Sequence, residues 1–191
     1  MARILIVDGH PSANRNHYIH ALASAYYGGG QNAHETRRID IAQLDFPVLC
    51  EPEQWDGKEV PPDIKYAQDQ ITWADHIVLL YPLWLGDVPA RLKAFLEQVA
   101  RPGFAMEERE NGTFKKLLKG KSARLIVTMG MPTPIYRLWF QAHSVKSLKR
   151  NILQFMGFNP VRVTLIGHVE RGADYRREWL EKVERLGATG R

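Results

Sequence analysis

The stretch His76-Ile77-Val78-Leu79-Leu80-Tyr81-Pro82-Leu83-Trp84-Leu85-Gly86-Asp87-Val88-Pro89-Ala90 decides how this chain folds. Its first half is a short, continuous apolar run, the pattern of a strand covered on both faces. From Ala90 to Val99 the apolar positions take helical spacing. Between them, Pro82 and Pro89 set their own φ and bias Tyr81 and Val88 toward extended backbone, which predicts a stiff loop with outward-facing amides. Trp84 adds a flat apolar wall. In an open α/β sheet, ligands bind outside the carboxyl ends of the strands, where this loop would lie. The segment therefore reads as a slot for a planar ring, or, taken alone, as a proline-rich turn around a core tryptophan.

Working outward, the same alternation recurs. Ala2 to Val7 is an apolar strand that ends in the turn and cap residues Asp8-Gly9-His10-Pro11-Ser12-Ala13-Asn14, before a helical pattern at Tyr18, Ile19, Leu22, Ala23 and Tyr26. Gly28-Gly29-Gly30 predicts the end of that helix. Glu35 to Ile41 reads as a second strand, and Ala42 to about Pro62 as a long irregular loop. A helix over 64–74 leads into the strand 76–81. After the helix 90–99 comes a second loop, 100–121, with Asn111-Gly112 as a turn signal. A fourth strand at 123–128 turns through Gly130 into one long helix from Tyr136 to about Met156, halted by Gly157. A strand over 161–166 and a charged helix over 175–186 close the pattern. Five alternations of strand and helix predict a parallel sheet with helices on both faces. Five strands favour the flavodoxin-like, doubly wound order 2-1-3-4-5, so the loops after strands one, three and four converge at its switch point.

The chain has 191 residues, 45% of them hydrophobic, enough for one domain with a sizeable core. No run approaches about 18 consecutive apolar residues, and Arg3 to Val7 reads as a strand, not as the apolar part of a leader. A soluble, cytoplasmic protein is expected. The single cysteine, Cys50, excludes an internal disulfide and fits a reducing compartment. The formal charge of +5 is spread over basic residues interleaved with acids, and no recognition-helix or zinc-finger pattern appears, so nucleic acid is not an expected partner.

Other chemistries are excluded motif by motif. The glycine triplet follows a helix instead of a first strand, so it is no dinucleotide fingerprint. Gly120-Lys121-Ser122 lacks the upstream glycine of a phosphate loop and enters a strand. No Gly-x-Ser-x-Gly elbow occurs, and the seven histidines offer no paired metal spacing beyond His17 and His20. No metal is expected. What remains is the loop after the first strand, where Ser12, Asn14 and the free amides opening the helix suit an anion, with His10 and His17 beside them. The same residues also read as an ordinary cap by Asn14 and a turn at Pro11. Thr128, Gly130, Tyr136 and His143 are the polar groups placed nearest a ring in the third loop. Tyr136 and His143 are seven apart, two turns along one helix face, which predicts a relay of hydrogen bonds; the alternative is a helix start with a surface histidine.

Taken together, these segments resemble the flavodoxin-fold NAD(P)H:quinone oxidoreductases, the group of DT-diaphorase and the small bacterial quinone reductases. The resemblance covers nearly the whole chain. It rests on Gly9-His10-Pro11 with Asn14, Asn16 and His17, and on Pro82-Leu83-Trp84-Leu85-Gly86 followed by Val88-Pro89-Ala90 and Lys93. Gly103-Phe104-Ala105, Thr128-Met129-Gly130 with Tyr136, and Leu165-Ile166-Gly167-His168 complete it. The resemblance implies a bound flavin, FAD or FMN. Its phosphate would meet His10, Ser12, Asn14, Asn16 and His17, and its ring Pro82, Leu83, Trp84, Leu85, Gly86, Thr128, Gly130 and Tyr136. It implies ping-pong hydride transfer from NAD(P)H through the flavin to a quinone or similar acceptor, with Tyr136 and His143 stabilising charge on the flavin's pyrimidine side.

The chain departs from that family at three places. Leu85 stands where relatives often carry an aromatic; Met106 and Glu108 replace the tyrosines that line DT-diaphorase's substrate side; and His143 lies one residue further from Tyr136 than the corresponding pair. A homodimer is implied, with Trp139 and Phe140 as candidate interface aromatics; the same two residues read equally as core. Arg137 to Phe140 with Lys146, Lys149 and Arg150 also reads as a basic aromatic face for peripheral contact with a membrane protein, which gives the alternative of an accessory flavoprotein regulating a partner such as a potassium efflux system.

Overall fold

A computed structural model of the chain describes residues 1–56 and 59–190. Five parallel strands form its sheet: β1 (Arg3–Asp8), β2 (Glu35–Asp40), β3 (His76–Pro82), β6 (Ser122–Thr128) and β7 (Val161–Ile166). Their order is β2-β1-β3-β6-β7, the expected 2-1-3-4-5 arrangement once the two strands of a separate hairpin, β4 (Met106–Glu108) and β5 (Phe114–Lys116), are set aside. The strand period of two sends alternate residues to opposite cores. Ile4, Ile6, Val78, Leu80 and Ile126 face α1 (Tyr18–Gln31) and α8 (Ala173–Thr189). Leu5, Val7, Ile77, Leu79 and Leu125 face α3 (Pro62–Trp73), α4 (Ala90–Val99) and the segment from Val145 to Met156. Both faces are covered, which is why the central strands read as continuous apolar runs. No described helix is long and apolar enough to cross a membrane.

Three expectations are corrected. The glycine triplet does not end the first helix, because α1 runs through it to Gln31. A Cβ on Gly29 would lie 2.0 Å from the Glu184 carbonyl oxygen, and one on Gly187 would lie 2.1 Å from that of Tyr26. These glycines let α1 and α8 cross with their backbones in contact, a role that local sequence reads as a stop signal. The long helix expected from Tyr136 to Met156 is broken: α5 (Thr133–Leu138) ends, Gln141 and Ala142 take left-handed φ values of 49° and 50°, and α6 (His143–Ser147) restarts. It continues as a π-helical turn over Leu148–Leu153 and the short α7 (Gln154–Met156). The loop 100–121 contains the β4–β5 hairpin, closed at Asn111-Gly112.

The irregular stretch after β2 carries one 3-10 turn, Ile41–Gln43, and a short α2 (Pro52–Asp56); its residues 57 and 58 lie outside the described residues. Arg91 on α4 donates to the carbonyls of Ile41 and Leu44, and Gln98 to that of Pro47 at 2.8 Å. Backbone with no regular partner is thus satisfied by side chains of α4.

His76, at the start of β3, is buried with Nδ1 2.8 Å from Ser122 Oγ, while Nε2 meets no partner among the described residues. Burial first, then Arg124, Arg162 and His34, lower its pKa from 6.5 to about 4. The neutral ring supports the fold above the unfolded pKa, and that stability is lost as pH falls from about 6.5 through about 4. Roughly 2 kcal/mol should disappear by about pH 5. Urea midpoints should fall across this window, and His76→Gln should flatten the slope; parallel slopes would show that other groups carry it.

Candidate functional site

Beyond the carboxyl ends of the strands, the loops after β1, β3 and β6 meet. Gly9 fits because a Cβ there would lie 2.7 Å from the Leu80 carbonyl, to which its own N–H donates at 2.7 Å. That bond ties the first loop to β3. Leu83 N–H donates to the Thr128 carbonyl at 2.8 Å, tying the β3 loop to β6. His10 and Trp84 touch edge to face, with centroids 5.6 Å apart.

The β3 loop is a tight turn. Trp84 and Asp87 exchange N–H···O=C bonds of 2.9 Å, with Leu85 at φ 48° and Gly86 at φ 82° between them. Two successive positive φ values define the hairpin-type turn that favours glycine, so Leu85 holds a strained conformation. Most amides of this loop turn inward rather than outward as expected: Leu83, Trp84, Asp87 and Val88 all donate within the chain. Only those of Leu85 and Gly86 lack an acceptor among the described residues. Leu85 itself is fully exposed, and Trp84 is half-exposed. Gly130, across the slot, has open space where a Cβ would be.

In the first loop, side chains organise the backbone. His10 is buried, and its Nδ1 accepts from Ser12 N–H at 3.0 Å, which leaves the proton of the neutral ring on Nε2. Burial first, then His17 and His20, lower the His10 pKa and favour that neutral form. Ser12 Oγ accepts from Asn14 N–H at 3.2 Å, and Asn14 Oδ1 from Asn16 N–H at 3.1 Å. The His17 ring stacks on His10 at 4.2 Å. Asn14 is not the helix cap: the cap position is His17, which makes no side-chain cap bond. The amides of Ala13, Arg15, Tyr18 and Ile19 find no acceptor among the described residues, so this end of α1 presents unfilled donors.

The third loop arranges its polar groups differently from the expected relay. Tyr136 is buried, with Oη 2.7 Å from Ser144 Oγ and accepting from Val145 N–H at 3.4 Å. The break at Gln141 and Ala142 removes the continuous helix face that was to bring Tyr136 and His143 together. Ser144 takes the inner position, and His143 is exposed one residue before it.

Sequence reasoning missed a charged cluster behind the first loop. Asp8, fully buried at the end of β1, accepts from His10 N–H at 3.2 Å and lies 2.8 Å from the Arg38 guanidinium. His20 Nδ1 is 2.6 Å from the same carboxylate, and its Nε2 is 3.0 Å from the Ser12 carbonyl. Arg38 also donates to Asp40 at 2.7 Å, and Arg15 to Asp40 at 2.5 Å. Burial raises the Asp40 pKa, but Arg15 and Arg38 outweigh it and hold the carboxyl below its usual range. The available signal was a carboxylate ending an apolar strand and a histidine on the buried face of α1. Among the described residues, no group of three or more His, Cys, Asp or Glu is placed to hold a metal.

A doubly wound sheet with three loops converging past its switch point defines an open α/β fold, the class of protein in which ligands bind at that edge. The chain belongs to the flavodoxin-like fold family, whose profile it matches over residues 2–188. It is 30% identical over 179 residues to a protein of Haemophilus influenzae described as an uncharacterized NAD(P)H oxidoreductase, an alignment covering 91% of this chain and 88% of that one. It is 25% identical, over an alignment of 211 residues covering 97% and 98% of the two chains, to an FMN-dependent NADH:quinone oxidoreductase of Nitratidesulfovibrio vulgaris. Among solved structures, the NAD(P)H:quinone oxidoreductase from Methanothermobacter marburgensis shares the fold with a TM-score of 0.84 at 23% identity, covering 98% of each chain.

Proposed function

We propose that this protein is an FMN-dependent NAD(P)H:quinone oxidoreductase. The observation that carries the reading is the meeting of three loops past the strand ends, with unfilled amides at the α1 end and a stiff turn with a half-exposed indole beside it. The first suits a phosphate and the second a planar ring, so the residues present fit flavin mononucleotide. The FMN dependence named for the relatives supports the same choice.

When bound, FMN supplies the two-electron chemistry, taking hydride from NAD(P)H and passing it to a quinone in alternate half-reactions. The chain binds and orients. The Ser12 hydroxyl, His10 Nε2–H and the α1 amides would hold the phosphate, with Asn14, Asn16 and His17 shaping that end of the site. Trp84 would wall the ring, and the Leu85 and Gly86 amides, free of any acceptor among the described residues, would supply donors to it, where preorganised donors stabilise charge at no reorganisation cost. Pro82, Leu83 and Thr128 set the height of that turn, and Gly130 leaves room opposite. Tyr136, bonded to Ser144, holds the third loop from behind, and His143 sits on the rim. Ile135, Leu138, Trp139 and Phe140 are exposed beside this site, Trp139 at 82%, which supports a homodimer contact there.

The test is a visible spectrum of the purified protein, release and identification of its flavin, and anaerobic mixing with NADH and NADPH. Bleaching near about 450 nm, reversed by a quinone, is the expected result. Trp84→Ala should weaken FMN binding about tenfold by removing the ring wall. Failure to bind flavin after reconstitution would reject the reading. Light scattering of the same sample should give twice the chain mass, and a monomer's mass would remove the dimer.

A further inference from the structure

The chain leaving β7 closes around the third loop of the site, the one that leaves β6. Met129 N–H donates to the Ile166 carbonyl at 2.9 Å, and Val169 N–H donates to the Met129 carbonyl at 3.3 Å. His168, at a left-handed φ of 53°, turns the chain between those two bonds. Gly167 is buried inside the turn, where a Cβ would lie 2.7 Å from the Met131 carbonyl oxygen, 2.9 Å from Thr133 N and 3.0 Å from Thr133 Cγ2. Its own carbonyl accepts from the Tyr175 hydroxyl of α8 at 3.0 Å. We propose that Gly167 is a positioning residue that sets the width of the ring slot: its bare Cα lets the third loop lie back against β7, and Tyr175 pins it there.

Sheet order gives the direction of the effect. β6 lies between β3 and β7, so the loop leaving β6 has the Trp84 turn on one side and Gly167 on the other. Whatever pushes that loop off Gly167 drives it toward the turn, where Leu83 N–H already donates to the Thr128 carbonyl. The contact gives the size. Ordinary contact begins at 3.4 Å, so a methyl on Gly167 would drive the Met131 carbonyl back by about 0.7 Å. That exceeds the roughly 0.5 Å within which a binding constellation has to be held. The two nearest atoms are backbone, so no rotamer change absorbs the push. α5 begins at Thr133, and Tyr136 N–H donates to the Pro132 carbonyl at 3.2 Å, so a displaced Thr133 carries Tyr136 with it. The phosphate end is built on β1 and α1 and draws on none of these contacts, which confines the effect to the ring.

This inference rests on the flavin reading above, and the test separates the two. FMN dissociation constants would be measured by quenching of flavin fluorescence for wild type, Gly167→Ala and Tyr175→Phe. Gly167→Ala should weaken binding about tenfold, and Tyr175→Phe, which releases the pin, about threefold. Tyr175→Phe removes one hydroxyl and leaves the ring, so it carries the test if Gly167→Ala folds poorly. Lower melting temperatures with unchanged FMN constants would reduce Gly167 to a packing residue and overturn the proposal while leaving the flavin reading intact; no FMN binding by wild type would overturn both. A flavin-independent measurement checks the path. In the apoprotein of Tyr175→Phe, the backbone amide resonances of Gly130 and Tyr136 should shift while those of Ser12 and Asn14 stay in place. Shifts confined to α8 and the end of β7 would overturn the proposal.

Discussion

Gly29→Ala should destabilise the fold by about 3 kcal/mol, whereas Gly28→Ala, one residue earlier, should stabilise it by about 0.5–1 kcal/mol. Both changes gain helix propensity, since alanine loses less backbone entropy on entering a helix than glycine does. They differ in what the new methyl meets. Gly28 is exposed, with nothing within 4 Å of a Cβ, so only the propensity gain remains. At Gly29 the methyl would lie 2.0 Å from the carbonyl oxygen and 2.8 Å from the carbonyl carbon of Glu184. Those are backbone atoms of α8 that no rotamer change can move. The helix would have to withdraw, opening the contact that α1 and α8 make around Tyr26 and Val183. For a chain of this size the Gly29 loss corresponds to a fall in melting temperature of roughly 6–12 °C. Thermal melts of the two variants beside wild type make the comparison, and shifts of the same sign at both positions would contradict the close crossing. Gly187→Ala tests the same contact from the other helix, with its Cβ 2.1 Å from the Tyr26 carbonyl.

Asp8→Ala should cost about 3 kcal/mol, the low end of the range for breaking a buried ion pair by removing one partner. The carboxylate is fully buried and serves His20, Arg38 and the His10 amide together. Without it, the buried His20 ring, the Arg38 guanidinium and the His10 amide would lose the acceptor that they share. Arg38 keeps Asp40 and partial access to water, its side chain 18% exposed, which softens the penalty. The informative form of the experiment is a double-mutant cycle with Arg38→Met. Removing both charges should cost less than the sum of the single changes, with a coupling of about 1 kcal/mol or more. Urea denaturation of the four proteins would measure it, and strict additivity would mean that the two groups do not act on each other.

The architecture was legible because its signals are local. The apolar runs at Ile4–Val7, Ile77–Leu80 and Leu125–Val127 announce strands covered on both faces, and helical spacing between them leaves few alternatives to a doubly wound sheet. The helix over Ala90–Val99 was read with its observed bounds, since Pro89 marks its start and its apolar positions are regular. The β4–β5 hairpin was not read. Its strands, Met-Glu-Glu and Phe-Lys-Lys, are short and largely exposed, so no alternation of polarity marks them; only the turn at Asn111-Gly112 was visible.

The break after α5 escaped for a different reason. Gln141 and Ala142 carry no glycine or proline to announce left-handed backbone, and the bond from Tyr136 to Ser144 spans it. That bond exists only once the chain has folded back on itself.

At the site, the sequence by itself determined the parts whose chemistry is contiguous. Glycine at position 9, the prolines around Trp84 and the open turn at Gly130 follow from strand ends that must become loops, and they place three loops at one edge. Which groups work together there was decided by tertiary structure alone. Asp8, His20 and Arg38 belong to a strand, a helix and a neighbouring strand, and each has an ordinary local reading. Parallel pairing of β1 with β2, and the packing of α1 across them, puts the three within hydrogen-bond distance away from water. Burial then couples Asp8 to Arg38 and to the His20 ring, because a charge removed from solvent must be answered by the nearest partner, and no spacing in the sequence records which that will be.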